Sequence, residues 1–128
     1  MSTVTHLNPP ALHSSPAYSQ ATVAVAGRTL YIGGQNGTDA EGRISGGIAE
    51  QSRQALRNVL TLLAAAGAGP EQVAKLTVYL AAGVDPAQAY AASAEVWGPH
   101  PSAVTVLLVA ALGRPEALVE IEAVAALG

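Results

Sequence analysis

Two carboxylates stand two residues apart near the end of the chain, in Leu118-Val119-Glu120-Ile121-Glu122-Ala123-Val124. The alternation is strict. On a β-strand Val119, Ile121 and Ala123 point one way, and Glu120 and Glu122 point the other. Such a pair has two readings: the solvated face of an edge strand, or one wall of a polar pocket in which a carboxylate handles a proton or a water. The alternation alone leaves both open.

The other groups able to do chemistry are few. His6, His13 and His100 stand at no helical or strand spacing from another ligand type, and the chain has no cysteine, so no metal site is expected. A serine nucleophile on a strand-to-helix elbow would need Gly-x-Ser-x-Gly, which is absent. Gly33-Gly34-Gln35-Asn36-Gly37 follows a predicted strand but opens a long loop rather than a helix, and it lacks the Lys-Ser/Thr of a phosphate cradle. Turn chemistry and close backbone approach to a ligand both fit that cluster.

A chain of 128 residues makes one domain, spanning 1–128, with no room for a second core. Half of its residues are apolar and only 12% are charged, too few charges to cover the surface. One face is therefore expected to be buried against other subunits. The net charge is −3, and the six cationic residues, Lys75 and five arginines, are spread along the chain. Without a basic stripe, nucleic acid is not an expected partner. The absence of cysteine excludes disulfides, thiolate metal sites and cysteine nucleophiles. MSTVTHLNPP has neither the positive nor the apolar stretch of a secretory leader, and the apolar run Val104–Leu112 is too short to cross a bilayer. A cytoplasmic chain without membrane contact is expected.

The elements that must position the carboxylates follow in order. Residues 1–17, rich in Pro, Ser and His, predict an irregular lead-in. Ser19–Val25 and Thr29–Ile32 predict a hairpin turning at Ala26-Gly27-Arg28. Ile48–Ala66 predicts an amphipathic helix: Ile48, Ser52, Ala55, Val59, Leu62 and Ala66 form its stripe, widened by Leu56, Leu60 and Leu63. Gly67 stands where a left-handed C-cap belongs. Pro70–Val73 predicts a single turn, and Lys75–Ala81 a strand with Thr77 and Tyr79 on one face. Asp85 caps a second helix, which begins at Pro86, ends at Gly98 and turns Tyr90, Ala94 and Trp97 inward. Pro99-His100-Pro101 then leads into Ala103–Ala110, an apolar run expected of a strand covered on both faces. The order is ββαβαββ: an α+β domain with a single sheet and two helices packed on one face. The other sheet face needs a cover, and a partner subunit supplies one.

Taken together, Pro16-Ala17-Tyr18-Ser19-Gln20, Gly33-Gly34-Gln35, Gln54-Ala55-Leu56-x-Asn58-Val59 and Val119-Glu120-Ile121-Glu122-Ala123 resemble the successive signatures of the Rid (reactive intermediate deaminase, YjgF) family, in order and at the right spacings. The resemblance implies a chorismate-mutase-like α+β fold and a homotrimer with small-molecule ligands in three inter-subunit clefts. It further implies hydrolysis of 2-imino or enamine acids to keto acids and ammonia, without metal or cofactor. Tyr18 and the backbone around Gly33, Gly34 and Gln35 would line the cleft, and Glu120 would position the attacking water. A carboxylate holding water near a C=N carbon supplies geometry and a proton acceptor together.

One departure stands out. Deaminating members of that family carry an arginine at the start of the penultimate strand, paired bidentately with the substrate carboxylate. Alignment places Val104 there, and no Arg or Lys lies between Lys75 and Arg114. Ala91 replaces an asparagine common in the second helix. Arg114, in the last turn, is the remaining candidate for the clamp. Two readings follow: a Rid-like hydrolase with an altered substrate range, or a trimer that binds small molecules, or acts as a chaperone, without chemistry. Ribonuclease activity, reported for some relatives, suits the sparse positive charge poorly.

Overall fold

The computed structural model describes residues 2–128. The framework is a four-stranded mixed sheet of β3 (Thr29–Gln35), β6 (Val119–Ala126), β4 (Val73–Ala81) and β5 (Ala103–Val109), in that spatial order. β6 runs antiparallel to both of its neighbours, while β4 and β5 are parallel. Parallel neighbours need a crossover, and helix α2 (Pro86–Trp97) provides it; α1 (Ile48–Ala65) connects β3 to β4. The domain is α+β, with two helices packed on the sheet.

Sequence and structure agree closely on the extents of the helices, but α2 turns Ala89 and Ala92 inward rather than Tyr90 and Ala94, which are exposed. Ser52, Ala55, Leu56, Val59 and Leu63 form the buried stripe of α1. Leu62 is 39% exposed while Leu63 is fully buried, so the stripe is rotated slightly from the predicted one. Gly67 takes φ +74° at the helix end, and the Ala68 amide reaches back to the Leu63 carbonyl at 2.8 Å. The Asp85 side chain accepts the Ala87 amide at 3.0 Å, which caps α2. Pro70–Gln72 is a single 3-10 turn. The helix stripe meets Leu76, Leu80, Val119, Ile121, Ala123 and Ala125 of the sheet in one core. Each large aliphatic side chain buried there contributes about 1.5–3 kcal/mol.

Three expectations change. Val4–Leu7, assigned above to an irregular lead-in, forms strand β1, and it rather than β3 pairs with β2 (Ala21–Ala24) in a separate two-stranded sheet. The predicted hairpin does not form because Arg28 pairs both ways with the chain end: its amide reaches the Gly128 carbonyl and its carbonyl accepts the Leu127 amide. Gly27, at φ +144°, approaches Gly128 so closely that a Cβ would lie 2.5 Å from its carbonyl carbon. Ala26-Gly27-Arg28 therefore passes the chain from one sheet to the other.

The second change is that β6 is an interior strand, which removes the edge-strand reading of its carboxylates. The third is that β5 is an edge strand, as β3 is on the other side of the sheet. Val106 and Leu108 are 52% and 60% exposed, so within one chain this apolar strand is not covered on both faces.

Candidate functional site

Strand register decides which groups share the helix-free face of the sheet. Tyr79 of β4 pairs with Glu120 of β6, and Thr77 with Glu122. On β5, Leu107 stands level with Tyr79, Thr105 with Thr77, and Ala103 with Lys75. That face carries Glu120, Glu122, Tyr79, Thr77 and Lys75, with Lys75 donating to the Thr105 hydroxyl at 2.6 Å.

The two carboxylates have different partners. Glu122 accepts the hydroxyl of Tyr79. This bond, then partial burial and the charges of Glu122 and Glu120, holds the Tyr79 phenol above its usual range, so it is a neutral donor at physiological pH. Glu120 instead accepts the side-chain amide of Asn36 at 3.3 Å, and the same amide also donates to the Val119 carbonyl at 3.0 Å. Asn36 is held from α1. The Asn58 side chain donates to the carbonyls of Asn36 at 3.2 Å and Thr38 at 3.0 Å, and it accepts from Gln54 at 2.9 Å. Gln54 and Asn58, polar residues of the helix, thus brace the loop that orients Glu120.

The glycine cluster makes room for that carboxylate. Ile32 pairs with Ala123 and Gln35 with Ile121, so three steps along β3 answer two along β6, a bulge at Gly33-Gly34. A Cβ on Gly34 would lie 2.0 Å from Glu120 Oε2. Gly33 has open space around its missing Cβ, and the Gln35 side chain folds back onto the Gly33 carbonyl at 3.2 Å. Gln51, buried within α1, uses both ends of its amide: Nε2 donates to the carbonyls of Gly46 and Glu116, and Oε1 accepts the Leu118 amide at 2.8 Å. It thereby seats the start of β6.

Tyr18, Val104 and Arg114 lie elsewhere. Val104 stands level with Leu76, on the helix-side face, so within one chain it lies on the opposite side of the sheet from Glu120. Side chains alternate along a strand, and a one-residue shift reverses the face. On the Glu120 face the start of β5 offers Ala103 and Thr105. Val104 and Tyr18 come together as lining of one cavity beneath α2. Arg114 donates to the Gly42 carbonyl at 2.5 Å and pairs with Glu116 at 3.1 Å, tying two loops together. Ala91, on α2, is exposed. Asn36 and Tyr79 are the groups that the sequence reading missed; the shared parity of Lys75, Thr77 and Tyr79 was visible, but not that β4 lies beside β6.

Residues 9–127 match the family model described as Endoribonuclease L-PSP. The chain belongs to this family, the Rid/YjgF family. A RutC family protein of Pyrococcus horikoshii is 40% identical to this Rid chain over 110 residues, covering 84% of this chain and 85% of the relative. The 2-iminobutanoate/2-iminopropanoate deaminase of Homo sapiens is 48% identical over 66 residues, 50% of this chain and 47% of the human protein. The Rid chain thus matches about half the length of its mammalian relatives. Among solved structures, a Rid-family protein of unknown function from Yersinia pestis superimposes with a TM-score of 0.87 at 34% identity, covering 98% of this chain and 99% of that one. The YjgF gene product of E. coli superimposes with a TM-score of 0.73 at 28% identity, over 87% and 88% of the two chains.

Proposed function

We propose that this Rid protein is a metal-independent hydrolase for imines or enamines that lack the usual carboxylate, with Glu120 as its water-positioning base. The observation that carries this reading is the seating of Glu120: Gly34 leaves room for its carboxyl, and Asn36 holds one oxygen while the other remains available. Glu120 would take a proton from water as the oxygen adds to the C=N carbon and pass it to nitrogen, then move the carbinolamine hydroxyl proton to nitrogen as the C=O forms and ammonia leaves. Tyr79, kept as a neutral donor by Glu122, stands beside this position.

The substrate range follows from the missing counter-charge. Ala103, Thr105 and Leu107 give β5 no cation on the Glu120 face, and Lys75 is already bonded to Thr105. A substrate carboxylate would forgo a charge-assisted pair of about 1.5–3 kcal/mol. A homotrimer completes the reading. The uncovered sheet face and the exposed Val106, Leu107 and Leu108 of β5 need a cover, and a second and third copy supply it around inter-subunit clefts. Light scattering at micromolar concentration should give three chains; a stable monomer would remove the clefts.

The test of activity is ammonia release from two imines made in situ, a neutral one from an amine and 2-iminopropionate from alanine. The neutral imine should be hydrolysed the faster, and Glu120→Gln should abolish its turnover. The second reading, a trimer that binds without catalysis, draws on the absence of a cation beside Glu120. Background rates with both imines would establish it over the first.

A further inference from the structure

Asn36 precedes Gly37, and the site needs the two residues for separate reasons. Asn36 supplies the only side-chain donor that Glu120 has among the described residues. Gly37 is buried against α1, where a Cβ would lie 2.7 Å from the Gln51 carbonyl oxygen and 2.8 Å from its Cα, so no larger residue fits. Packing thus imposes a dipeptide with chemistry of its own. The backbone nitrogen that follows an asparagine can attack the side-chain carbonyl carbon, and glycine presents that nitrogen with no side chain to obstruct it.

The other two asparagines lack this route. Asn8 is followed by Pro9, whose nitrogen carries no proton to give up. Asn58 is followed by Val59, branched at Cβ, whose amide belongs to the ladder of α1. The Gly37 amide, by contrast, donates to no acceptor among the described residues. The reaction is restrained by the seat of Asn36. Its Nδ2 donates to the Val119 carbonyl at 3.0 Å and to Glu120 at 3.3 Å, and its backbone carbonyl is held by Asn58 at 3.2 Å. Ring closure turns the carboxamide onto the Gly37 nitrogen and expels Nδ2, so both bonds to β6 are lost, and the reacting atoms must first meet at about 3–3.5 Å.

We propose that Asn36 is a modification site, converted to aspartate or isoaspartate by attack of the Gly37 nitrogen, and that Gln54 and Asn58 of α1 set the rate by bracing its loop. The nitrogen gives its proton to water and bonds to Asn36 Cγ; the Cγ–Nδ2 bond then breaks, and ammonia leaves with a proton taken back from water. A second water opens the five-membered imide at either carbonyl. One water is consumed, one ammonia is released, and nothing is oxidised or reduced. The product sets a carboxylate where an amide faced Glu120, so a donor at 3.3 Å becomes a like charge, and Lys75 on this face is already bonded to Thr105. The isoaspartate form also lengthens the backbone by one carbon beside the Gly33-Gly34 bulge. Conversion therefore switches hydrolysis off, a consequence that rests on Glu120 as the water-positioning base; the conversion itself does not.

Trypsin cuts after Arg28, Arg43, Arg57 and Lys75, so each asparagine falls in its own peptide: 1–28, 29–43 and 58–75. The folded protein is held at mildly alkaline pH, digested at intervals and weighed by mass spectrometry. Peptide 29–43 should gain about 1 Da as NH2 becomes OH, in two isomers of which one is isoaspartate, while the other two peptides keep their masses. Asn58→Ala frees the carbonyls of Asn36 and Thr38 and should convert about tenfold faster. Gln54→Ala removes only the bond that orients Asn58 and should convert about threefold faster; half-buried on α1, it keeps the fold even where loss of Asn58 does not. Asn36→Asp, the product made directly, should hydrolyse the neutral imine about 100-fold more slowly than the wild type. The proposal is overturned by an unchanged mass of peptide 29–43 in both α1 variants, by conversion of both at the wild-type rate, or by aspartate formed without isoaspartate. Wild-type turnover in Asn36→Asp overturns the switch. Turnover retained in Glu120→Gln overturns the reading of Glu120 instead and leaves the mass change standing.

Discussion

Replacing Gly34 by alanine isolates the placement of Glu120 from everything else. Gly34 is not among the glycines with positive φ, so its backbone accepts alanine without strain. The cost falls on the carboxylate. The new methyl would lie 2.0 Å from Oε2, 2.7 Å from Cδ and 2.9 Å from Cγ of Glu120, where ordinary contact begins at 3.4 Å. The carboxyl group must retreat by about 1.4 Å, and a misplacement of about 1 Å costs a catalytic group on the order of 100-fold. Ammonia release by Gly34→Ala should therefore fall by about 100-fold or more. The displaced carboxyl is the end of a flexible side chain, so the melting temperature should drop by only a few degrees, equivalent to about 1 kcal/mol. Combined with Glu120→Gln, Gly34→Ala should add almost no further loss, since both act through one group. Wild-type activity in Gly34→Ala, or full additivity in the double variant, would refute the claim that this glycine serves the carboxylate.

The remaining predictions concern the same face. Glu122→Gln should spare most of the hydrolysis that Glu120→Gln abolishes, because Glu122 is bonded to Tyr79; equal effects would return both residues to a solvated face. Ala103→Arg should raise turnover of 2-iminopropionate by up to about 100-fold, the kinetic equivalent of up to 3 kcal/mol, with neighbouring Lys75 limiting the gain. Val104→Arg should lower the melting temperature, since it places a charge in the cavity under α2. In an absorbance titration at 295 nm, Tyr79 should ionise above the ordinary tyrosine range, and Glu122→Gln should bring it back toward that range. The sign follows from the raised folded-state value: the Tyr79–Glu122 contribution to stability is complete below about pH 10 and is lost as pH rises through the folded-state value.

Local chemistry announced the helices, the 3-10 turn and the alternating strands. Asp85, Pro86 and Gly98 bound α2 as capping residues do, and the α1 stripe was legible to within one position, Leu63 replacing Leu62 at the centre of the core. Those signals act over three or four residues, so one sequence contains them whole. The opposed faces of Glu120 and Ile121 were legible for the same reason. Strand pairing was not, because it joins segments far apart in the chain, and alternation says only that a strand has two faces. The pairing of β2 with β1 rather than β3 depended on contacts of Gly27 and Arg28 with Leu127 and Gly128, a hundred residues away in the chain. The same holds for the site. The sequence by itself determined Glu120, the glycines and the absence of a cation from residues 76–113. Only the tertiary structure decided that Asn36 and Tyr79 join Glu120 and Glu122, and that Val104 turns away beneath α2, because a shift of one residue in register exchanges the two faces of a strand.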